Sequence, residues 1–346
     1  MKRLLAATLM TAMAAAAQTP DALMRAGRYA DAARAWGEQL QSMPADAPEH
    51  GDLENRQALY GSIGDVPPQA IAFARGDRTI ALTRNTLGTW DVHARVGERE
   101  VDWILDTGAN LSTLVESEAK ALGLTIREST ATVRGSTGAA NALRLAVAPS
   151  VRVGPATLSH VVFIVLPDAA LYIPPLDHQI RGILGMPALR AFRRFAVDAG
   201  GALRFSAETK RAVSAPLRSD GWSPIVDVRH NGHVLHLLLD TGANVTSLFP
   251  SARAALSAEE ITALGHKDDR TGGAGAIVSR SAEVVPLLHL EIGARSVDLH
   301  NVTLLASAPA DDGNDGVLGI DALRDGFALD FTGAENAGRL TIGGSR

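Results

Sequence analysis

The chain has no cysteine in its 346 residues. That absence excludes a disulfide framework, thiol catalysis, a cysteine-bound zinc site and the lipidated cysteine of a lipoprotein. Aromatic residues are scarce at 4%, so cores and pockets must be lined mainly by Leu, Val, Ile and Ala. No block of Lys and Arg follows the N-terminus and the net charge is a mild −5, which gives no electrostatic footprint for a nucleic-acid partner. An apolar run of about 20 residues is also missing, so no membrane span is expected once a leader is removed. What remains, 46% hydrophobic and 21% charged, is the composition of a globular protein long enough for two or three domains.

Residues 1–17 read as an export signal. Lys2-Arg3 supply the positive region, Leu4 to Met13 an apolar stretch too short to span a bilayer, and Ala15-Ala16-Ala17 a small-residue cleavage site. Cleavage is expected before Gln18, which makes this an exported protein of bacterial type, most simply periplasmic. An uncleaved anchor or a disordered Ala-rich leader is the competing reading.

Residues 18–76 differ in kind from the rest of the chain. Leu23, Gly27, Tyr29, Ala33, Trp36 and Leu40 are at helical spacing with Pro44 as a stop, so Ala22 to Pro44 is expected to form a tetratricopeptide-like (TPR-like) helical hairpin, with a second helix near Leu53 to Tyr60. One such unit cannot bury its own face, so it should pack on the rest of the chain or on a protein partner, with Pro67-Pro68 marking the linker. An inhibitory pro-segment is the alternative. The segment is acidic, with five Lys/Arg against eight Asp/Glu.

The most informative feature is a repeat. Asp-Thr-Gly-Ala-Asn occurs at Asp106 to Asn110 and again at Asp240 to Asn244, each time after an apolar run, and the two copies stand 134 residues apart. The same offset carries Thr137-Gly138 onto Thr271-Gly272 and Gly182-Ile183-Leu184-Gly185 onto Gly316-Val317-Leu318-Gly319. Three motifs in one register mean an internal duplication. Short strands and turns surround them: Ile225 to Val228 passes through Asn231-Gly232, a strong hairpin signal, into Val234 to Leu239, and Val92 to Val96 passes through Gly97-Glu98 into Val101 to Leu105. A further strand pair is expected in each copy, Leu143 to Val153 with Val161 to Leu166, and Val284 to Ile292 with Val302 to Leu305. The fold class is therefore mainly β, two similar barrel-like lobes at 77–213 and 214–346.

A single Asp-Thr-Gly is as easily a hairpin corner as a catalytic loop. Repeated, with two aliphatics and a Gly about eighty residues downstream, the pattern resembles the aspartic peptidases of the retropepsin and pepsin clan. The resemblance spans roughly residues 77 to 346. It implies an endopeptidase acting on a peptide or protein substrate, with Asp106 and Asp240 sharing one proton around a bound water and no metal or organic cofactor. It further implies that Thr107 and Thr241 hydrogen-bond across the lobe interface, that Gly108 and Gly242 let backbone amides approach the carboxylates, and that 183–185 and 317–319 pack beneath them. Because both halves lie in one chain, a monomer is expected. Gly135-Ser136-Thr137-Gly138 and Thr271-Gly272-Gly273 fall where the clan places a substrate-covering flap. Pepsin-like flaps carry a Tyr, absent here, so the flap is closer to the retropepsin kind.

Other signals carry less. His230, His233 and His236 are split by the Asn231-Gly232 turn, and a spacing of three in a strand puts the last two on opposite faces, so they read as solvated strand histidines rather than metal ligands. Asp311 to Asp315 lacks the closing acid of a calcium loop and reads as a turn. A non-catalytic peptide-binding module and a cell-envelope scaffold remain the alternatives to an enzyme.

Overall fold

The computed structural model describes residues 18–134, 140–206, 214–273, 276–308, 313–333 and 337–343. The export signal and Gly135 to Gly138 lie outside the described residues. No helix among the described residues is long and apolar enough to cross a membrane.

The two lobes are built alike because their sequences alternate alike. In Trp90–Val96 the residues Trp90, Val92, Ala94 and Val96 are buried while His93 is exposed, the period-2 signature of a strand with one face on a core. It turns at Gly97 (φ 59°) into Arg99–Leu105. In lobe 2, Ser223–His230 turns through Asn231 (φ 48°) and Gly232 (φ 79°) into His233–Leu239. Two successive positive φ values are what a tight type I′ hairpin requires, and Asn-Gly is the pair that accepts them at least cost. In each lobe the strand carrying the aliphatic-Gly motif then inserts beside the aspartate: Gly182–Leu184 runs parallel to Arg99–Leu105 and antiparallel to Ser112–Val115, and Gly316–Leu318 does the same between His233–Leu239 and Ser247–Leu248.

Six antiparallel strands at one end of a 13-stranded sheet join the lobes. Their order is Ala215–Asp220, Ala337–Ile342, Phe327–Asp330, Arg194–Val197, Ala202–Phe205, Thr79–Ala81, three strands from each lobe. The central pairing sets Phe195 opposite Leu329 and Arg194 opposite Asp330. Phe195 and Leu329 are themselves 134 residues apart, so an approximate two-fold axis passes between each residue and its own repeat. The few aromatics gather at such seams: Phe192, Phe195, Phe205 and Phe327 pack edge-on against one another beneath this sheet.

Before the lobes come three helices, Pro20–Arg25, Tyr29–Gln41 and His50–Gly61. The first two are separated at Gly27, whose φ of 73° suits glycine. The expected boundary at residue 76 needs correction, because Ala70–Phe73 is a strand at the edge of the lobe 1 sheet, paired with Ala156–Leu166. The reading of His230 as solvated is also wrong. It is 2% exposed, with its ring nitrogens against the His289 carbonyl (2.8 Å) and the Glu260 carboxylate (3.1 Å). The inward side of an alternating strand takes any residue that finds partners there.

Candidate active site

Asp106 and Asp240 are the first residues beyond Arg99–Leu105 and His233–Leu239. Their own amides are tied to the inserted strands, Asp106 N–H donating to the Leu184 carbonyl (3.1 Å) and Asp240 N–H to that of Leu318 (3.0 Å). Beyond each aspartate the chain turns tightly. Gly108 and Ala109 donate to Asp106 Oδ1 at 2.7 and 3.0 Å, and Gly242 and Ala243 to Asp240 Oδ1 at 2.8 and 3.2 Å. Each carboxyl also lies against the other loop: the Asp240 carboxyl faces Gly108, and the Asp106 carboxyl faces Gly242.

Both carboxyls are pushed above the ordinary aspartate range, first by burial. Backbone donors at both loops oppose the rise, and the charge of each carboxyl bears on the other. Two like charges in contact and shielded from water cannot both form at low cost, so the pair retains one proton well into the range where lone carboxyls have lost theirs.

Thr107 and Thr241 lock the two loops. Each is fully buried. Thr107 N–H donates to Thr241 Oγ1 and Thr241 N–H to Thr107 Oγ1, both at 3.0 Å, while the hydroxyls donate across the lobes to the Leu239 and Leu105 carbonyls, both at 2.7 Å. Replacing one hydroxyl by a methyl strands a buried N–H and a buried carbonyl. Thr107→Val or Thr241→Val is therefore expected to destabilise the fold by about 2 to 4 kcal/mol, with Thr→Ser nearly neutral. Thermal or denaturant unfolding checks this, and a valine variant as stable as the wild type would contradict it.

Two further pairs belong to the site although the motif reading passed over them. Ser112 Oγ accepts from Gly185 N–H (3.0 Å) and its repeat Thr246 Oγ1 accepts from Gly319 N–H (3.1 Å), fastening the inserted strand to the aspartate loop. Asn110 and Asn244, the fifth motif residues, reach to the opposite lobe: Ser223 Oγ donates to Asn110 Oδ1 (2.9 Å), and Asn244 Nδ2 donates to the Leu87 carbonyl (3.1 Å). The 134-residue register placed these residues in equivalent positions, but nothing in sequence said that they cross between lobes.

Of the expected flap residues, Thr271, Gly272 and Gly273 end the strand Gly265–Gly273, which folds back on Ala276–Ile292 with Gly273 opposite Ala276. The lobe 1 hairpin pairs Ile126–Arg134 with Ala140–Val153 up to Arg134 opposite Ala140; its tip, Gly135 to Gly138, is outside the described residues. The three strand histidines do not converge: His233 is exposed and His236 Nδ1 contacts Asp227 Oδ1 at 2.8 Å. Asp315 caps the inserted strand, accepting from the amide of His236 (2.9 Å).

No curated protein matches the chain. A family model described as aspartyl protease matches it twice, at residues 92–188 and 226–322. The two matches begin 134 residues apart, the spacing of the aspartates, and together cover more than half of the sequence. Two tandem copies of the domain, each contributing one aspartate to a shared loop pair, place this chain in the aspartyl protease family.

Proposed function

We propose that the protein is a single-chain aspartic endopeptidase whose catalytic pair is Asp106 and Asp240. The observation that carries this is the convergence of two carboxyls from different lobes, each lying against the glycine of the other's loop across the threonine pair that joins the loops, with burial raising both. Such a pair holds an acid and a base together in one site. The ionised member takes a proton from a water lying between them as the water oxygen attacks the scissile carbonyl carbon. The protonated member hydrogen-bonds to the carbonyl oxygen and gives it the proton. As the resulting gem-diol collapses, the C–N bond breaks, the leaving nitrogen takes up the proton held by one carboxyl, and a gem-diol hydroxyl returns its proton to the other, giving the carboxylic acid product and the singly protonated pair again. A non-catalytic peptide-binding module would need none of this, and the survival of both Asp-Thr-Gly copies favours the enzyme. No second copy is needed to complete the site. With residues 1–17 as an export signal, the enzyme would work outside the cytoplasm on peptides or proteins there.

The pH profile tests the reading. As pH falls through the lower of the two raised values both carboxyls are protonated and no base remains; as it rises through the upper one the shared proton is lost and no acid remains. The kcat/KM profile should therefore be bell-shaped with a maximum in weakly acidic solution. The residues after the glycines are Ala109 and Ala243, so no hydroxyl assists the charged form there. Ala109→Thr with Ala243→Thr adds that donor and should move the profile toward acid. A wild-type maximum near pH 2, or a double variant displaced toward alkaline pH, would refute this account of the pair's acidity.

A further inference from the structure

The helical segment touches both lobes at places that bear on the aspartates. The first strand of the lobe 1 hairpin, Ile126–Arg134, is bulged: its register with Ala140–Val153 breaks between Glu128 and Thr132. Ile126–Arg134 is also the last strand of its sheet, so one side of its backbone has no ladder partner, and the helix His50–Gly61 covers that edge at Thr132, just past the bulge. Asn55 Nδ2 donates to the Thr132 carbonyl (2.8 Å) and Thr132 N–H donates to Asn55 Oδ1 (2.7 Å), so one carboxamide stands in for a neighbouring strand. Ser62 Oγ and Ser129 Oγ are 2.8 Å apart, and Arg127 pairs with Asp65. The lobe 2 counterpart, Gly265–Gly273, runs in unbroken register with Ala276–Ile292.

The second grip is on lobe 2. Trp222, in the turn between Ala215–Asp220 and Ser223–His230, is buried against the helices, and its Nε1–H donates to the Tyr60 hydroxyl (3.0 Å). Tyr60 in turn packs on Tyr29 and Trp36, so four of the seven Tyr and Trp residues of the chain meet at this junction. Arg25 Nη1 donates to the Gly221 carbonyl (2.8 Å). The next residue, Ser223, holds Asn110 of the aspartate loop. The equivalent turn of lobe 1 reaches Asn244 through the Leu87 carbonyl and is held by Asn85 and by Thr86 on His178 instead. The two ends of the site differ accordingly: Leu111 is 4% exposed and its repeat Val245 is 55%. Among the described residues the hydrogen bonds to the Asp106 and Asp240 carboxyls come from the two aspartate loops and not from the helices.

We propose that the helical segment is a fixed brace on the cleft, with Asn55 and Trp222 as positioning residues: Asn55 sets the lobe 1 hairpin that leads to the flap, and Trp222 sets the turn that carries Ser223 to Asn110. The kinetic part rests on the proposed peptidase activity; the mechanical part does not. The segment is then required for full activity and is not an inhibitor to be removed.

The test uses the full chain carrying Asn55→Ala, Asn55→Asp or Trp222→Phe. Amide hydrogen exchange, measured without substrate, should speed up in residues 126–134 of Asn55→Ala and stay unchanged in 265–273. Asn55→Asp still accepts from Thr132 and should lie between Ala and wild type. With a peptide substrate, Asn55→Ala should raise KM about threefold to tenfold with kcat nearly constant, as expected for two lost hydrogen bonds. Trp222→Phe keeps the packing and should lower kcat several-fold at constant KM. Unchanged exchange in 126–134 would overturn the brace whether or not the protein cleaves peptides. A rise in kcat/KM in either variant would overturn it in favour of an inhibitory segment. An Asp106→Asn protein with wild-type activity would instead overturn the peptidase reading and leave the exchange result standing.

Discussion

Asp106→Asn and Asp240→Asn are each expected to lower peptide hydrolysis more than about a hundredfold, the scale of lost general acid-base catalysis, and the double variant should be scarcely worse than either single one. The reason is that one water is served by both carboxyls, so removing either leaves no working pair. The same substitutions should leave the fold intact and even strengthen it near neutral pH. A carboxyl whose value is raised by folding contributes stability below its unfolded value and loses that contribution as pH climbs through the raised one. Both aspartates are raised, so at neutral pH their charges oppose folding, and an amide removes one of them. Steady-state kinetics and a thermal melt on the same preparations separate the two effects. Substantial activity in either single variant would rule out a shared pair.

Gly108→Ala and Gly242→Ala should come next in size. A Cβ on Gly108 would fall 2.6 and 2.7 Å from the two Asp240 carboxyl oxygens, and one on Gly242 would fall 2.5 Å from Asp106 Oδ2. Neither distance is tolerable, and the atoms that must yield are those proposed to do the chemistry. A displacement of about 1 Å at a reacting group costs on the order of a hundredfold in rate, so a fall in kcat of that order is expected. Gly51→Ala is the control, since nothing lies within 4 Å of a Cβ there. A Gly108→Ala enzyme with wild-type kcat would mean that the aspartates are not held this closely.

Much of this was legible because the chain states it twice. The alternation in Trp90–Val96 and the Asn231-Gly232 turn are local signals, and the 134-residue register turned two ordinary Asp-Thr-Gly corners into one arrangement. What escaped are features whose partners lie far apart in sequence. Nothing near Arg194–Val197 announces that it pairs with Phe327–Asp330, because an inter-lobe strand reads like any other short apolar strand. Asn55 looks like an ordinary helix residue until the fold sets it against Thr132 on the edge of the last strand of the lobe 1 sheet. His230 misleads for the opposite reason: its polarity pointed outward, whereas the His289 carbonyl and Glu260, 59 and 30 residues away, made an inward position acceptable. Trp222 is a lone aromatic in a turn, and only the packed helices explain it.

The central claim is that one chain supplies both halves of one hydrolytic site, and its most direct test is turnover per chain of a fluorogenic peptide mixture by the wild-type protein, followed over roughly a thousandfold dilution at weakly acidic pH. The account predicts measurable cleavage with a specific activity that does not change on dilution. Absence of cleavage in the undiluted protein, or a specific activity that falls steeply as the chain is diluted, would contradict it.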